Sequence, residues 1–189
     1  MILNKKDFDK IRLELKAFEE KREQTISLSR EIITISKQVI YSIHRSELKE
    51  AESLISKIKK KVKELDKNKN YDTGISGVAI QEYVEAITYF EFVKNNKIPT
   101  KDELNVDVES YLMGLCDLTG ELGRKAVDEA INKRFKGVEK IRELVDEIYG
   151  EFLKFDLRNG ELRKKSDSIK WNLKKLEDLV LSIKGFKVE

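Results

Sequence analysis

Two pairs of carboxylates stand at helical spacing in distant parts of this 189-residue sequence, Glu82 with Glu85 and Asp117 with Glu121. Spacings of three and four residues place the two members of each pair on one face of an α-helix. If the two helices lie side by side, four carboxylates converge, and such a cluster must take up protons, basic partners or divalent cations. Periodicity alone still favours ordinary solvated acids at these positions, because a charged helix face usually meets water.

The other residue types narrow the chemistry of such a cluster. Di-iron helical bundles use Glu-x-x-His pairs, which the sequence lacks. Zinc prefers histidine and cysteine, and the chain has one of each, at unrelated positions. We expect His44 to pack or cap near a helix end and Cys116 to lie in the core. An all-oxygen site suits Mg²⁺ or Mn²⁺, which can activate water and stabilise the leaving oxygen of a phosphodiester.

The helices that must position these acids follow from the apolar periodicity of the chain. Residues 7–45 contain neither proline nor glycine and predict one long N-terminal helix of about forty residues. Six further helical segments are predicted, over about 46–65, 78–94, 100–103, 107–133, 138–155 and 161–183. We therefore expect an all-α protein, a helical bundle of about seven helices in a single domain over residues 1–189.

Glycine is concentrated in the helix that carries the second carboxylate pair. Gly114, Gly120 and Gly123 lie inside this helix, and each costs roughly 1 kcal/mol of helix stability relative to alanine. A close approach of another backbone, or open access to the carboxylates, would offset that cost. Gly137 is predicted to mark the break before the next helix.

Composition excludes several classes of protein. With 38 basic and 35 acidic residues, the net charge of +3 is too balanced to indicate nucleic-acid binding by itself. The single cysteine rules out an internal disulfide and fits a reducing compartment, so we expect a cytoplasmic protein. No apolar stretch is long enough to span a bilayer and the first residues lack a signal-peptide core, so no membrane association is expected.

Several segments, taken together and in order, resemble the translin family, which contains translin and its partner, translin-associated factor X. The similarity covers nearly the whole chain. The segments that carry it are 29–32, 36–37, 44–45, 81–86, 108–115, 117–122, 159–167 and 181–185. The resemblance implies a translin-like helical subunit that assembles into a shell, as a homo-octamer where no second paralogue is present.

The resemblance also implies a function for the two carboxylate pairs. In that family, factor X supplies a metal-dependent endoribonuclease site made of acidic side chains, while translin binds RNA and single-stranded DNA. The positions that match the catalytic acids are Glu82, Glu85, Asp117 and Glu121, all acidic here. We therefore expect an endoribonuclease that holds Mg²⁺ or Mn²⁺ on these four residues and cleaves RNA, with single-stranded DNA as a second substrate class. The alternatives are a non-catalytic RNA- or single-stranded DNA-binding protein of translin type, and a helical scaffold without a nucleic-acid partner.

Contacts to phosphates would have to come from basic side chains. Four candidates lie in family-like segments, and one lies a turn beyond the second carboxylate pair, where it could instead form an ion pair within its own helix. For the other four the alternative is an ordinary surface charge. The five candidates are Arg30, Lys37, Arg124, Arg163 and Lys164.

Overall fold

Seven α-helices form the described part of the chain, residues 3–68 and 73–185 of a computed structural model, and no strand occurs in those ranges. This confirms the all-α fold expected from the sequence. None of the described helices is both long and apolar enough to cross a membrane. The helices are α1 Lys5–His44, α2 Leu48–Asn68, α3 Ile75–Asn95, α4 Lys101–Leu104, α5 Val108–Ile131, α6 Phe135–Phe152 and α7 Glu161–Gly185.

The long N-terminal helix of the prediction is present as α1, which has 40 residues. Its buried residues begin at Thr25, and its C-terminal half packs against α2 and α3. Every described residue from 3 to 21 is exposed. α1 therefore has two parts, a C-terminal half that contributes to the core and an N-terminal half that lies outside it.

α3 lies at the centre of the fold, with α1 on one side and α5 on the other. The apolar side predicted from the sequence, Ile80, Tyr83, Ile87 and Phe90, is buried. The remaining residues of the central turns are buried as well, so that all of 83–90 is removed from solvent. Because these turns have no solvent-facing side, the polar groups they carry must face neighbouring helices.

The contact between α3 and α5 depends on a glycine. A Cβ atom at Gly114 would lie 2.7 Å from Val84 Cβ and 2.8 Å from the carbonyl oxygen of Gln81. Both distances are well below ordinary contact, so any side chain here would push the two helices apart. Of the two explanations that the sequence offers for the glycines of this helix, close backbone approach applies at Gly114. At Gly123 a Cβ would meet nothing within 4 Å.

The turns between helices agree with the prediction at one place and differ at another. α4 begins with a capping box, in which Thr100 Oγ1 accepts from the Glu103 backbone and the Glu103 carboxylate accepts from the Thr100 backbone. The predicted break at Gly137 is wrong, since Gly137 lies in the first turn of α6. The chain instead turns just before α6, where Lys133 adopts a left-handed φ of 58°. A Cβ at Gly137 would lie 2.6 Å from a carboxylate oxygen of Glu129, which explains the glycine by packing.

Candidate functional site

A cavity of about 330 Å³ lies where α3, α5 and α7 meet. Glu82 and Glu85 reach it from α3, Asp117 from α5, and Lys165 from α7. Three of the four acids singled out in the sequence therefore share one cavity, although Asp117 lies 32 residues after Glu85 and 35 after Glu82 along the chain. The glycine contact between α3 and α5 brings them this close.

Asp117 is held by two donors from two other helices. Gln81 Nε2 of α3 and Lys165 Nζ of α7 each lie 2.5 Å from Asp117 Oδ2. The Asp117 side chain is 28% exposed, so the ion pair with Lys165 is partly shielded from solvent. Lys165 neutralises this carboxylate and links the third helix to the acidic pair on α3.

Glu85 is the most deeply placed acid of the cavity, with 8% of its surface exposed. Burial, together with the negative charges of Asp117, Glu82 and Glu121, raises the pKa of its carboxyl to about 8. At neutral pH the Glu85 side chain is therefore mostly protonated in this arrangement. A cation placed beside it would reverse that balance, since an opposite charge favours the ionised form.

Glu82 lies nearer the mouth of the cavity. Burial is the main cause that raises the pKa of its carboxyl, and the charge of Asp117 adds to it, while Lys37 acts in the opposite direction. Lys37 Nζ lies 3.9 Å from Glu82 Oε1 on an otherwise solvent-facing side chain. The cavity thus has one deep acid and one acid at its edge, both destabilised as anions.

Glu121 does not line this cavity and is held by a different group. Its carboxylate contacts His44 Nε2, and the hydroxyl of Tyr89 lies 3.2 Å from His44 Nδ1 on the other side of the ring. The Tyr89 side chain is fully buried. Donation from the tyrosine hydroxyl to Nδ1 would leave the ring proton on Nε2, from which His44 donates to Glu121. His44, the last residue of α1, is packed near a helix end as expected, and it also fixes the Glu121 carboxylate.

The cluster fits a divalent cation by its chemistry and charge. All its acidic ligands are carboxylates, the donors that Mg²⁺ and Mn²⁺ prefer, and their mutual repulsion is only partly balanced by nearby basic groups. Among the described residues, however, no three His, Cys, Asp or Glu side chains lie close enough together to hold one ion. To bind an ion jointly, Asp117 would have to give up its contact with Lys165, and Glu121 would have to turn toward the other acids while His44 holds one of its two oxygens.

The basic residues named in the sequence are spread over the surface. Lys37 stands beside Glu82 at the edge of the cavity. Arg124 lines a groove between α5 and α7 that adjoins the acidic cavity, since Gly120 and Asn172 line both. Arg30 lines a shallow depression along α1. Only Lys37 among the five is in contact with one of the four acids.

Two further candidates on α7 make local contacts instead. Arg163 donates to the carbonyl oxygen of Leu157 at 3.3 Å, and Lys164 forms an ion pair with Glu161 at 2.7 Å. Lys165, the next residue, is the one that reaches Asp117. Sequence analysis missed it, although helical phase could have found it, because Lys165 precedes the buried Ile169 by four residues and so shares its side of the helix.

The chain is similar to proteins from archaea and animals. The Translin family model matches residues 20–184. A protein of Methanocaldococcus jannaschii, named only as uncharacterised, is 31% identical over 174 residues, which cover 88% of this chain and 78% of that one. Translin-associated protein X of Mus musculus is 24% identical, over 94% of this chain and 77% of its own length. Translin of Gallus gallus is 34% identical over 87 residues, 45% of this chain and 38% of translin.

Solved structures share the fold over almost the whole chain. The crystal structure of apo-NeC3PO has a TM-score of 0.88 and 30% identity, and the match covers 96% of this chain and 97% of that one. A structure of AfC3PO in complex with duplex RNA has a TM-score of 0.86 and 24% identity, over 97% and 99% of the two chains. At 24% identity, the similarity to AfC3PO is evidence of a shared fold.

Proposed function

Because the chain belongs to the translin family, we propose that it is an endoribonuclease that cleaves RNA with Mg²⁺ or Mn²⁺ and works as a homo-oligomer. The observation that carries this proposal is the shared cavity, where Glu82, Glu85 and Asp117 meet a lysine between three helices. A surface of ordinary solvated acids would not bury a carboxyl group among three like charges, as Glu85 is buried here.

Each residue of the cluster has a role that its surroundings suit. Glu82, Glu85 and Asp117 would hold the cation, with Glu121 joining them from the next turn of α5. When bound, the cation would activate a water molecule and neutralise charge that develops on the phosphodiester. Lys165 brings a positive charge to a cavity that would otherwise repel a phosphate group.

The comparisons support RNA as the substrate class. AfC3PO, whose fold this chain shares, has been solved in complex with duplex RNA. Lys37, exposed beside Glu82, is placed to meet a backbone phosphate at the mouth of the cavity. Binding that rests on such contacts weakens steeply as salt concentration rises.

Cleavage of a labelled RNA oligonucleotide by purified protein tests the proposal, with Mg²⁺, Mn²⁺ or EDTA in parallel. We expect cleavage with either metal, none with EDTA, and a loss of at least about 100-fold in Asp117→Asn, since even the partners of metal ligands contribute about 10- to 100-fold. Glu109→Gln is the matched control, because Glu109 is an exposed acid at the start of the same helix. A single-stranded DNA of the same sequence tests the second substrate class. Unchanged cleavage by Asp117→Asn would refute the assigned site.

A non-catalytic RNA- or single-stranded DNA-binding protein is the second candidate. The ion pair between Lys165 and Asp117 favours it, because it neutralises one acid of the cavity without a metal. This candidate predicts salt-sensitive binding of the oligonucleotide with no cleavage under any metal condition. It also predicts that Asp117→Asn leaves binding in place.

A further inference from the structure

Lys165 is the one basic side chain among the described residues that line the cavity of Glu82, Glu85 and Asp117. Its Nζ atom lies 2.5 Å from Asp117 Oδ2, and 31% of the Lys165 side chain is exposed. The ammonium group is therefore in contact with an acid of the cavity while part of the side chain remains open to solvent. In this position it balances the charge of Asp117.

The contact uses a carboxylate that the proposed function assigns to a divalent cation. Asp117 Oδ2 accepts hydrogen bonds from Lys165 Nζ and from Gln81 Nε2, at 2.5 Å in both cases. Gln81 is neutral, and a hydrogen bond from a neutral donor commonly orients a carboxylate that holds a metal. Lys165 is positively charged, so it would repel an ion bound to the same carboxylate. Lys165 and a divalent cation are therefore competitors for Asp117.

Lys165 can give up this contact without any movement of its helix. A lysine side chain is a flexible, unbranched chain of four carbons that ends in a compact ammonium group with three donors. Ile169, one turn further along α7, is fully buried, so the backbone of this part of α7 is held in the core. The charge can move while its point of attachment stays fixed.

The acids around Lys165 limit where its ammonium group can go. Glu82 already has a basic neighbour, since Lys37 Nζ lies 3.9 Å from Glu82 Oε1. Glu85 is only 8% exposed and lies deep in the cavity. The negative group that remains is a phosphate of bound RNA, which has to lie beside the cation to be hydrolysed and is then within reach of the lysine. A lysine ammonium group is a common partner of phosphate oxygens.

We propose that Lys165 is an exchangeable counter-ion, which neutralises Asp117 before a divalent cation binds and then pairs with the RNA phosphate beside that cation. The inference rests on the proposed function and goes beyond it by giving Lys165 two successive partners. The ion pair with Asp117, which the non-catalytic alternative treats as permanent, is then one of two positions of the same side chain.

Removal of this charge should change metal binding and cleavage in opposite directions. Lys165→Met keeps an unbranched side chain but removes the competing charge, so we expect Mn²⁺ to bind at least about tenfold more tightly than to wild type. Calorimetric titration with Mn²⁺ alone, without RNA, measures this. Lys174→Met is the matched control, because Lys174 is exposed and lies nine residues further along α7, on the opposite side of the helix. It should keep the wild-type affinity.

Cleavage of the labelled RNA oligonucleotide, at Mn²⁺ concentrations that saturate each protein, is the second measurement. We expect Lys165→Met to cleave at least about tenfold more slowly than wild type, because the phosphate loses a charged partner. Lys165→Arg keeps a positive charge and should lie nearer to wild type than Lys165→Met in both measurements. Tighter Mn²⁺ binding with slower cleavage cannot come from a folding defect, since a damaged site would bind Mn²⁺ less tightly.

Each measurement has an outcome that would overturn the inference. A Mn²⁺ affinity of Lys165→Met equal to or weaker than that of wild type would show that Lys165 does not compete for Asp117. Wild-type cleavage by Lys165→Met would show that the lysine does not pair with the phosphate. Both results would leave the Asp117→Asn test of the proposed function standing. A wild type that neither binds Mn²⁺ nor cleaves RNA would overturn the proposed function, and this inference with it.

Discussion

α3 and the N-terminal half of α1 depart in opposite ways from the usual distribution of side chains. α3 buries a carboxyl group in its central turns, whereas α1 leaves Phe8, Ile11, Leu15 and Phe18 in solvent. The free-energy cost of burying this carboxyl group in α3 is reduced within the chain, by protonation of Glu85 and by basic side chains beside Glu82 and Asp117. The exposure of apolar side chains in α1 has no such compensation from the residues that the structure describes. The first departure thus indicates a site for a small charged ligand, whereas the second leaves an apolar stripe exposed to solvent.

The burial of the Glu85 carboxyl group in α3 can be tested first, through the pH dependence of folding stability. Glu85 has a pKa of about 8 in the folded protein and near 4.3 in an unfolded chain, so the folded state binds the extra proton between those values. The contribution of Glu85 to folding stability is fully present below about pH 4.3 and is lost as pH rises through 8. In EDTA, Glu85→Gln should therefore be more stable than wild type above pH 8, by up to about 5 kcal/mol at roughly 1.4 kcal/mol per pKa unit.

Urea unfolding of both proteins at pH 5, 7 and 9 measures this difference. Glu109→Gln, which changes an exposed acid, should follow the wild-type curve at every pH. If Glu85→Gln and wild type instead lose stability in parallel as pH rises, Glu85 is not a destabilised buried acid. The contrast with α1 would then disappear.

The next largest effect on stability is expected at Gly114, whose contact with α3 places the α3 acids beside α5. Gly114→Ala puts a methyl group 2.7 Å from Val84 Cβ, and overpacking of this kind costs roughly 3 kcal/mol. Gly123→Ala, on the same helix with open space around it, should be neutral or stabilising by up to about 1 kcal/mol. Thermal unfolding of the two variants decides the matter, and equal midpoints would show that the helices do not approach as closely as described.

Much of this architecture follows from local sequence, because helices are determined by apolar period, capping and the absence of breakers. The periodicity predicted the length of α1 and the buried side of α3, and the carboxylate spacing predicted which acids share a helix face. Contacts between distant segments were not predictable in the same way. That Lys165 reaches Asp117, or that His44 reaches Glu121 across 77 residues, depends on how helices cross. Gly137 is a further example, since a side chain there is excluded by the carboxylate of Glu129, which lies in another helix.

The hydrogen bonds that link Tyr89 of α3 through His44 to Glu121 allow a smaller effect to be measured on the buried helix. Tyr89→Phe removes one buried hydroxyl and should cost about 1 kcal/mol of stability. It also frees the His44 ring, so the affinity for Mn²⁺ should fall about tenfold, the lower end of the effect of removing a partner of a metal ligand. Calorimetric titration with Mn²⁺ measures this, with Tyr83→Phe as the control on the same helix. A Mn²⁺ affinity equal to that of wild type would show that His44 does not position Glu121.

The smallest expected effect lies on the exposed side of the comparison. Leu15→Ala removes a side chain that is 58% exposed in the single chain, so at protein concentrations too low for association it should change stability by less than about 0.5 kcal/mol. Ile87→Ala, at 1% exposure on α3, should cost about 2–5 kcal/mol under the same conditions. If Leu15→Ala is as costly at low concentration as Ile87→Ala, the N-terminal half of α1 already packs within its own chain.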